Sequence, residues 1–232
     1  MNNSPIVVAL DVETAAEARK LVSSLGDAVS FYKVGLELYT ASGMDFVREL
    51  KGQGHRVFLD LKLYDIGETV KRAVAQVSRA SVEFLTVHAS FAVMQAADRG
   101  REDSNLRLLA VTVLTSVDEA DLRRDGYSRS LAELVDLRVK NAMEARMDGM
   151  VCSALEVSRV RAITGPHAVL VTPGVRSAGA AAGDQKRVAT PAEAIANGAD
   201  YLVIGRQVTR ARDPRSEVQR ILEELQPVQA TR

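Results

Sequence analysis

Short apolar runs of strand-like composition recur along this chain, each followed by a longer helical pattern. IVVAL (Ile6–Leu10) ends at Asp11 and precedes an Ala-, Glu- and Lys-rich segment near Thr14–Leu25. FYKVG (Phe31–Gly35) precedes a helical pattern over Leu38–Lys51, and RVFLD (Arg56–Asp60) precedes one over Glu68–Arg79. EFLTVHA, LRLLAVTVL (Leu106–Leu114), GMVCS, HAVLVTPG and DYLVIG supply five further strands, with helices expected over Ser130–Arg146, Leu155–Ile163 and Glu217–Leu225. Eight strands alternating with helices predict a parallel sheet covered on both faces. Eight such units in 232 residues fit an α/β fold of the (β/α)8 TIM barrel type, a single domain over residues 1–232. A doubly wound open sheet is the alternative. No GxGxxG follows Leu10 and no GxxxxGK[ST] occurs, so neither phosphate-loop fingerprint supports it.

Composition narrows the function classes. Thirty basic residues balance thirty acidic ones, which gives no long-range attraction to nucleic acid or to an anionic membrane. Arg123, Arg124 and Arg129, near Asp125, Glu133 and Asp136, read as a solvated surface. The single Cys152 excludes an internal disulfide and a multi-cysteine metal site, and its apolar setting reads as a buried small hydrophobe. MNNSPIVVALD has no basic region ahead of its short apolar run, and no run reaches 18 apolar residues. A cytoplasmic protein is expected.

The stretch FLDLKLYDIGETVKRAV (Phe58–Val74) sets Asp60, Lys62 and Asp65 among leucines at the end of the third strand. In a barrel, the C-terminal strand ends carry the active site. The polar residues there are Asp11, Lys33, Asp60, Lys62, His88, Thr115 with Ser116, Pro173 with Arg176, and Gly205 with Arg206. The two-residue period of an extended strand places Asp60 and Lys62 on one side. Their structural reading is a rim ion pair, since buried charges are tolerated when paired. Lys33 and Asp11 converging on the same mouth favour chemistry. Ammoniums fixed by carboxylates suit a reaction that develops negative charge. His88 reads either as a base or as a core histidine. His55 and His167 precede strands and are expected on the surface of the opposite face. No two histidines have metal-ligand spacing, so no metal is expected.

Thr172–Ala189 (TPGVRSAGAAAGDQKRVA) is too long for a routine strand-to-helix connection and reads as a working loop, with Gly174, Gly179 and Gly183 in it. Gly205 after the last strand allows close backbone approach to a ligand. Barrels often hold phosphate between the loops after strands seven and eight. Arg176 and Arg206 are candidate fork-like donors, and Gln185 a neutral one.

Taken together, LDV at Leu10, FYKVGLELYTASG, FLDLKLYDI, LTVHAS, VTVLTS and the segment from Thr172 to Arg206 resemble the bacterial orotidine 5'-phosphate decarboxylase family over nearly the whole chain. The DxKxxD motif is shared with sugar-phosphate decarboxylases and hexulose-phosphate synthases; the Thr172–Arg206 segment is specific to the orotidylate branch. The resemblance implies a lyase that converts orotidine 5'-monophosphate to uridine 5'-monophosphate and carbon dioxide, with no cofactor. It implies Asp60, Lys62 and Lys33 as the charged network of one subunit, with Asp65 and Thr69 supplied across a homodimer interface. It implies Asp11 at the ribose, Thr115 or Ser116 at the pyrimidine, and Pro173, Arg176, Gln185, Gly205 and Arg206 at the phosphate and its closing loop. Three places differ from the family pattern: DIGET stands for DIPNT (Gly67, Glu68), HASFA for HASGG (Phe91, Ala92), and GRQVT for GRPIT (Gln207). The rival readings are a metal-dependent keto-sugar-phosphate decarboxylase or hexulose-phosphate synthase, and a non-catalytic phosphate-ligand binding protein.

Overall fold

The computed structural model describes residues 4–178 and 189–229. Eight strands close on themselves in the order β1 to β8, every neighbouring pair parallel. They are β1 (Ile6–Ala9), β2 (Phe31–Gly35), β3 (Arg56–Leu63), β4 (Phe84–His88), β5 (Arg107–Val111), β6 (Gly149–Val151), β7 (Val169–Thr172) and β8 (Tyr201–Ile204). The helices are α1 (Ala15–Leu25), α2 (Leu36–Gly52), α3 (Gly67–Ser78), α4 (Phe91–Arg101), α5 (Glu119–Arg124), α6 (Leu131–Glu144), α7 (Val157–Thr164), α8 (Pro191–Ala196), α9 (Arg206–Thr209) and α10 (Pro214–Gln229). The open-sheet alternative is thereby excluded. Among the described residues, no helix is long and apolar enough to cross a membrane.

Local chemistry explains where the helices begin. The Thr14 hydroxyl accepts from the Glu17 amide and caps α1. Ser130 with Glu133, and Thr190 with Glu193, form reciprocal capping boxes at α6 and α8; Pro191 opens α8, where its missing N–H costs nothing. Sequence patterning did not mark α4, α5, α8 or α9; the last three are four to six residues long and too short to show a helical period.

Strand alternation divides the core in two. Val7, Ala9, Phe31, Phe58, Phe84, Leu109, Val111, Val151, Val171 and Val203 fill the barrel interior. Their neighbours in sequence, such as Val8, Tyr32, Leu59 and Leu85, pack outward against the helices. The interior ladder therefore predicts what comes next at each rim: Asp11 after Ala9, Lys33 after Phe31, Asp60 after Phe58 and Gly205 after Val203.

The N-terminal rim is closed by a device used three times. Glu83 stands just before β4; its amide donates to Val57 O (2.9 Å) while its carboxylate accepts from Val57 N (2.6 Å) and from Lys51 (2.8 Å). Asp148, just before β6, does the same with Leu108, and Arg101 is its cation. Asp200, just before β8, does so with Leu170, and Arg161 is its cation (2.6 Å). Each carboxylate satisfies a strand-start N–H that has no ladder partner.

Two expectations need correction. β3 does not end at Asp60 but runs to Leu63, with a register shift against β4 between Leu59 and Leu63. His55 is not a free surface group: it is half-buried, its ring edge-on to Tyr32 at 5.0 Å, and burial lowers its pKa. His167 is exposed as expected, and Arg123, Arg124 and Arg129 are exposed too.

Candidate active site

A cavity of about 550 Å³ opens at the C-terminal end of the barrel. Asp11, Lys33, Asp60, Lys62, Thr115, Ser116, Pro173, Arg176, Gly205 and Arg206 all line it. With Val151 and Cys152 at the end of β6, residues from the ends of seven strands meet at one place. Gln185 lies outside the described residues. Among the described residues, Asp65, Thr69 and His88 do not line the cavity.

The charges form an alternating array. Lys33 Nζ donates to Asp11 Oδ1 at 2.7 Å and lies 3.6 Å from Asp60 Oδ2. Lys62 Nζ donates to Asp60 Oδ1 at 2.9 Å. Lys33 and Asp60 are deeply buried, whereas the Lys62 side chain is 39% exposed and opens into the cavity. Gly35 leaves room for this packing. A methyl group there would sit 2.8 Å from both Lys33 Nζ and Asp11 Oδ1, inside their ion pair.

The Asp60–Lys62 pair forms, but not by simple strand alternation. The chain leaves the extended form at Lys62, whose φ is +50°. For a side chain other than glycine this left-handed conformation costs about 1–2 kcal/mol. Thr86 holds it in place. The Thr86 hydroxyl accepts from Lys62 N (2.9 Å) and donates to Asp60 Oδ1 (2.9 Å). Sequence reasoning passed over Thr86; its one signal is a lone hydroxyl on the inward face of the apolar strand β4.

Burial opposes the charge on Lys33, but Asp60 and Asp11 outweigh it and raise the Lys33 pKa. Burial likewise opposes ionisation of Asp60, and Lys33, Lys62 and the hydrogen bonds from Lys62 and Thr86 together lower its pKa. The sign for folding follows. The contribution of Lys33 is complete below its ordinary value of 10.5 and disappears as pH rises through its raised folded value. That of Asp60 is complete above 3.8 and disappears as pH falls through its lowered folded value. Thermal unfolding from about pH 5 to about pH 9 should therefore show no loss from this array. A loss within that window that vanishes in Lys33→Met would contradict the assignment.

Another wall is cationic. Arg176 is buried, and its guanidinium donates to Val175 O at 2.7 Å. Burial lowers its pKa, and the charge of Arg206 lowers it further. Two guanidiniums held close on one wall are relieved by a bound anion. At Gly205 an added methyl group would meet Ala9 Cβ at 3.7 Å and Asp11 Oδ2 at 4.0 Å, ordinary contacts, so the space beside this backbone is free for a ligand. Glu37, Cys152 and Arg210 also line the cavity and were not singled out as site residues. Cys152 is buried, as its apolar context implies.

His88 is half-buried beside Tyr64, with ring centroids 4.7 Å apart and a buried Nδ1 that has no hydrogen-bond partner among the described residues. Burial and then Arg138 lower its pKa. It does not line the cavity that holds the array. Asp65 is exposed between Tyr64 and Ile66, large side chains that are 69% and 73% exposed.

Residues 4–221 match the model of the orotidine 5'-phosphate decarboxylase / HUMPS family. A protein of Methylobacterium nodulans named orotidine 5'-phosphate decarboxylase is 52% identical over 223 residues, 95% of this chain and 94% of its own. One of the same name from Afipia carboxidovorans is 51% identical over 220 residues, with the same coverage. The crystal structure of orotidine 5'-phosphate decarboxylase from Lactobacillus acidophilus superposes with a TM-score of 0.84 at 34% identity, covering 96% of this chain and 99% of the other. By sequence over almost its full length, and by the barrel that carries the site, the chain belongs to the orotidine 5'-phosphate decarboxylase / HUMPS family.

Proposed function

We infer that this chain is a lyase that decarboxylates orotidine 5'-monophosphate to uridine 5'-monophosphate and carbon dioxide, a step of pyrimidine biosynthesis. The observation that carries the reading is the array Asp11–Lys33–Asp60–Lys62, facing a cavity whose other wall holds Arg176 and Arg206. One wall is built for a developing carbanion and the other for a phosphate. The relatives at about half identity bear the decarboxylase name.

In this reading the bond from C6 to the carboxylate carbon breaks and its electron pair stays on C6. Carbon dioxide leaves. The Lys62 ammonium stabilises the pair, gives its proton to C6, and is recharged from solvent. Asp60 and Asp65 of the partner subunit keep Lys62 charged and aimed, and Lys33 balances them. Asp11 contacts the ribose, and Thr115 or Ser116 the pyrimidine. Pro173, Gln185 and Gly205 border the phosphate, which Arg176 and Arg206 grip. The loop 172–189 closes over it and expels water. Asp11 and Asp60 are already engaged by lysine ammoniums, so the reaction is assigned without a metal or cofactor. A homodimer is part of the proposal, because Asp65 and Thr69 stand outside the cavity of their own subunit. So is a cytoplasmic location, in keeping with a chain that has one cysteine and no disulfide pair.

The direct test is turnover of orotidine 5'-monophosphate, followed by loss of its ultraviolet absorbance, with and without a chelator. Rapid, chelator-insensitive loss is expected. Activity only on sugar phosphates with added metal would move the chain to the synthase branch of its family. Arg206→Ala should lower kcat/KM roughly 100- to 1,000-fold although Arg206 touches no reacting atom, since remote binding energy is used at the reacting centre. Unchanged efficiency in that variant would remove Arg206 from the phosphate grip.

A further inference from the structure

The two arginines of the cationic wall come from segments 30 residues apart, and a ring of side chains behind the wall joins those segments. Gln207 follows Arg206, and Ser177 follows Arg176. Gln207 Oε1 accepts from Ser177 N at 3.1 Å, and Gln207 Nε2 donates to Ser177 Oγ at 2.8 Å. The same Nε2 donates its second hydrogen to Glu217 Oε1 at 2.8 Å, and Ser177 Oγ donates to Glu224 Oε2 at 2.9 Å. Arg220 closes the ring, bonding Glu217 through Nε (3.1 Å) and Nη2 (2.6 Å), and Glu224 through Nη1 (2.5 Å). Ser177 is buried and Gln207 and Glu224 are half-buried.

We propose that Gln207 is a positioning residue whose amide locks the root of the long loop to α9, fixing the spacing between Arg176 and Arg206 before an anion arrives. The argument is one of preorganisation. The charge of Arg206 works against that of Arg176, so the fold has to hold the two guanidiniums beside each other. The amide of Gln207 engages its oxygen and both hydrogens, and no neutral side chain of other shape repeats that pattern. The ring anchors both segments on α10, a helix of 16 residues. Energy otherwise used to order the two arginines when ligand binds is then already supplied by the fold. Proline, the residue the family pattern places here, would fit at the second position of α9 but has no side-chain amide. The device belongs to this chain's own sequence.

The inference rests on the phosphate reading of the wall, and its test separates the two. KM and kcat are measured for orotidine 5'-monophosphate and for its dephosphorylated nucleoside, and inorganic phosphate affinity by calorimetry, in wild type, Gln207→Met and Ser177→Ala. Gln207→Met keeps the length and removes the amide. We expect KM for the nucleotide and Kd for phosphate to rise together by about tenfold, with kcat little changed and nucleoside turnover unaltered. In Arg206→Ala the further effect of Gln207→Met should shrink, because the two act through one contact. Unchanged phosphate affinity in both variants overturns the latch. An equal loss on the nucleoside also overturns it, since that marks general loosening. If the wild type binds phosphate but does not turn over the nucleotide, the reaction assignment fails, while the phosphate measurements still decide the latch. Ser177→Ala gives the same reading should Gln207→Met fail to fold.

Discussion

Lys62→Ala should lower kcat/KM for orotidine 5'-monophosphate by roughly 10⁵-fold while the protein stays folded. Two losses add in that estimate: the electrostatic stabilisation of the C6 carbanion and the proton that quenches it. The fold should survive because Asp60 keeps Lys33 at 3.6 Å and the hydroxyl of Thr86 at 2.9 Å. The Lys62 side chain is also far more open than Lys33 or Asp60. Single-turnover decay of substrate absorbance measures the chemical step, and circular dichroism checks the fold. A variant within about tenfold of wild type would take the proton donor away from Lys62. A fold lost together with activity would show that the array is chiefly structural.

Asp65→Asn should abolish most activity alone, and mixing it with Lys62→Ala should restore it. In a hybrid dimer one site carries both substitutions and the other carries neither. Random exchange makes half of all dimers hybrid, so the mixture should reach about a quarter of wild-type activity. Kinetics after the two inactive proteins are unfolded and refolded together, beside each refolded alone, would show it. Recovery requires that Asp65 act across the interface. An inactive mixture that sediments as a hybrid dimer would place Asp65 in its own subunit's service. The exposed Tyr64 and Ile66 that flank Asp65 are the surface such a partner would cover.

The barrel was legible because its strands are short, apolar and evenly spaced. The inward ladder Phe31–Lys33 and Phe58–Asp60 could be read by counting twos, and the structure keeps it. The count stops working at Lys62, because a positive φ and a register shift have no periodic signature. Thr86 was missed for a related reason. Its role depends on a neighbouring strand meeting it at the right height, a non-local fact that composition does not carry. The ring around Gln207 draws on residues 177, 207, 217, 220 and 224. In the sequence these are ordinary surface polar types, and only their convergence makes them a unit.

The three carboxylates at the lower rim sort the barrel's connections into two kinds. Glu83, Asp148 and Asp200 lie in the turns entering β4, β6 and β8, and each binds the first residues of the strand before it. The turns entering β3, β5 and β7 hold no such carboxylate clasp among the described residues. The carboxylate clasps therefore join β3 with β4, β5 with β6 and β7 with β8, whereas between those pairs the rim is held by backbone hydrogen bonds such as Arg107 N to Glu83 O and Val169 N to Asp148 O. A circular permutant of these residues opened at Gln53–Gly54 or Pro166–His167 would cut between clasps. Reopened at Ala80–Ser81 or Asn197–Gly198, it would put a new terminus beside one. The acidic residues of this rim, far from the mouth where the chemistry is done, are thus expected to influence where the barrel tolerates rewiring.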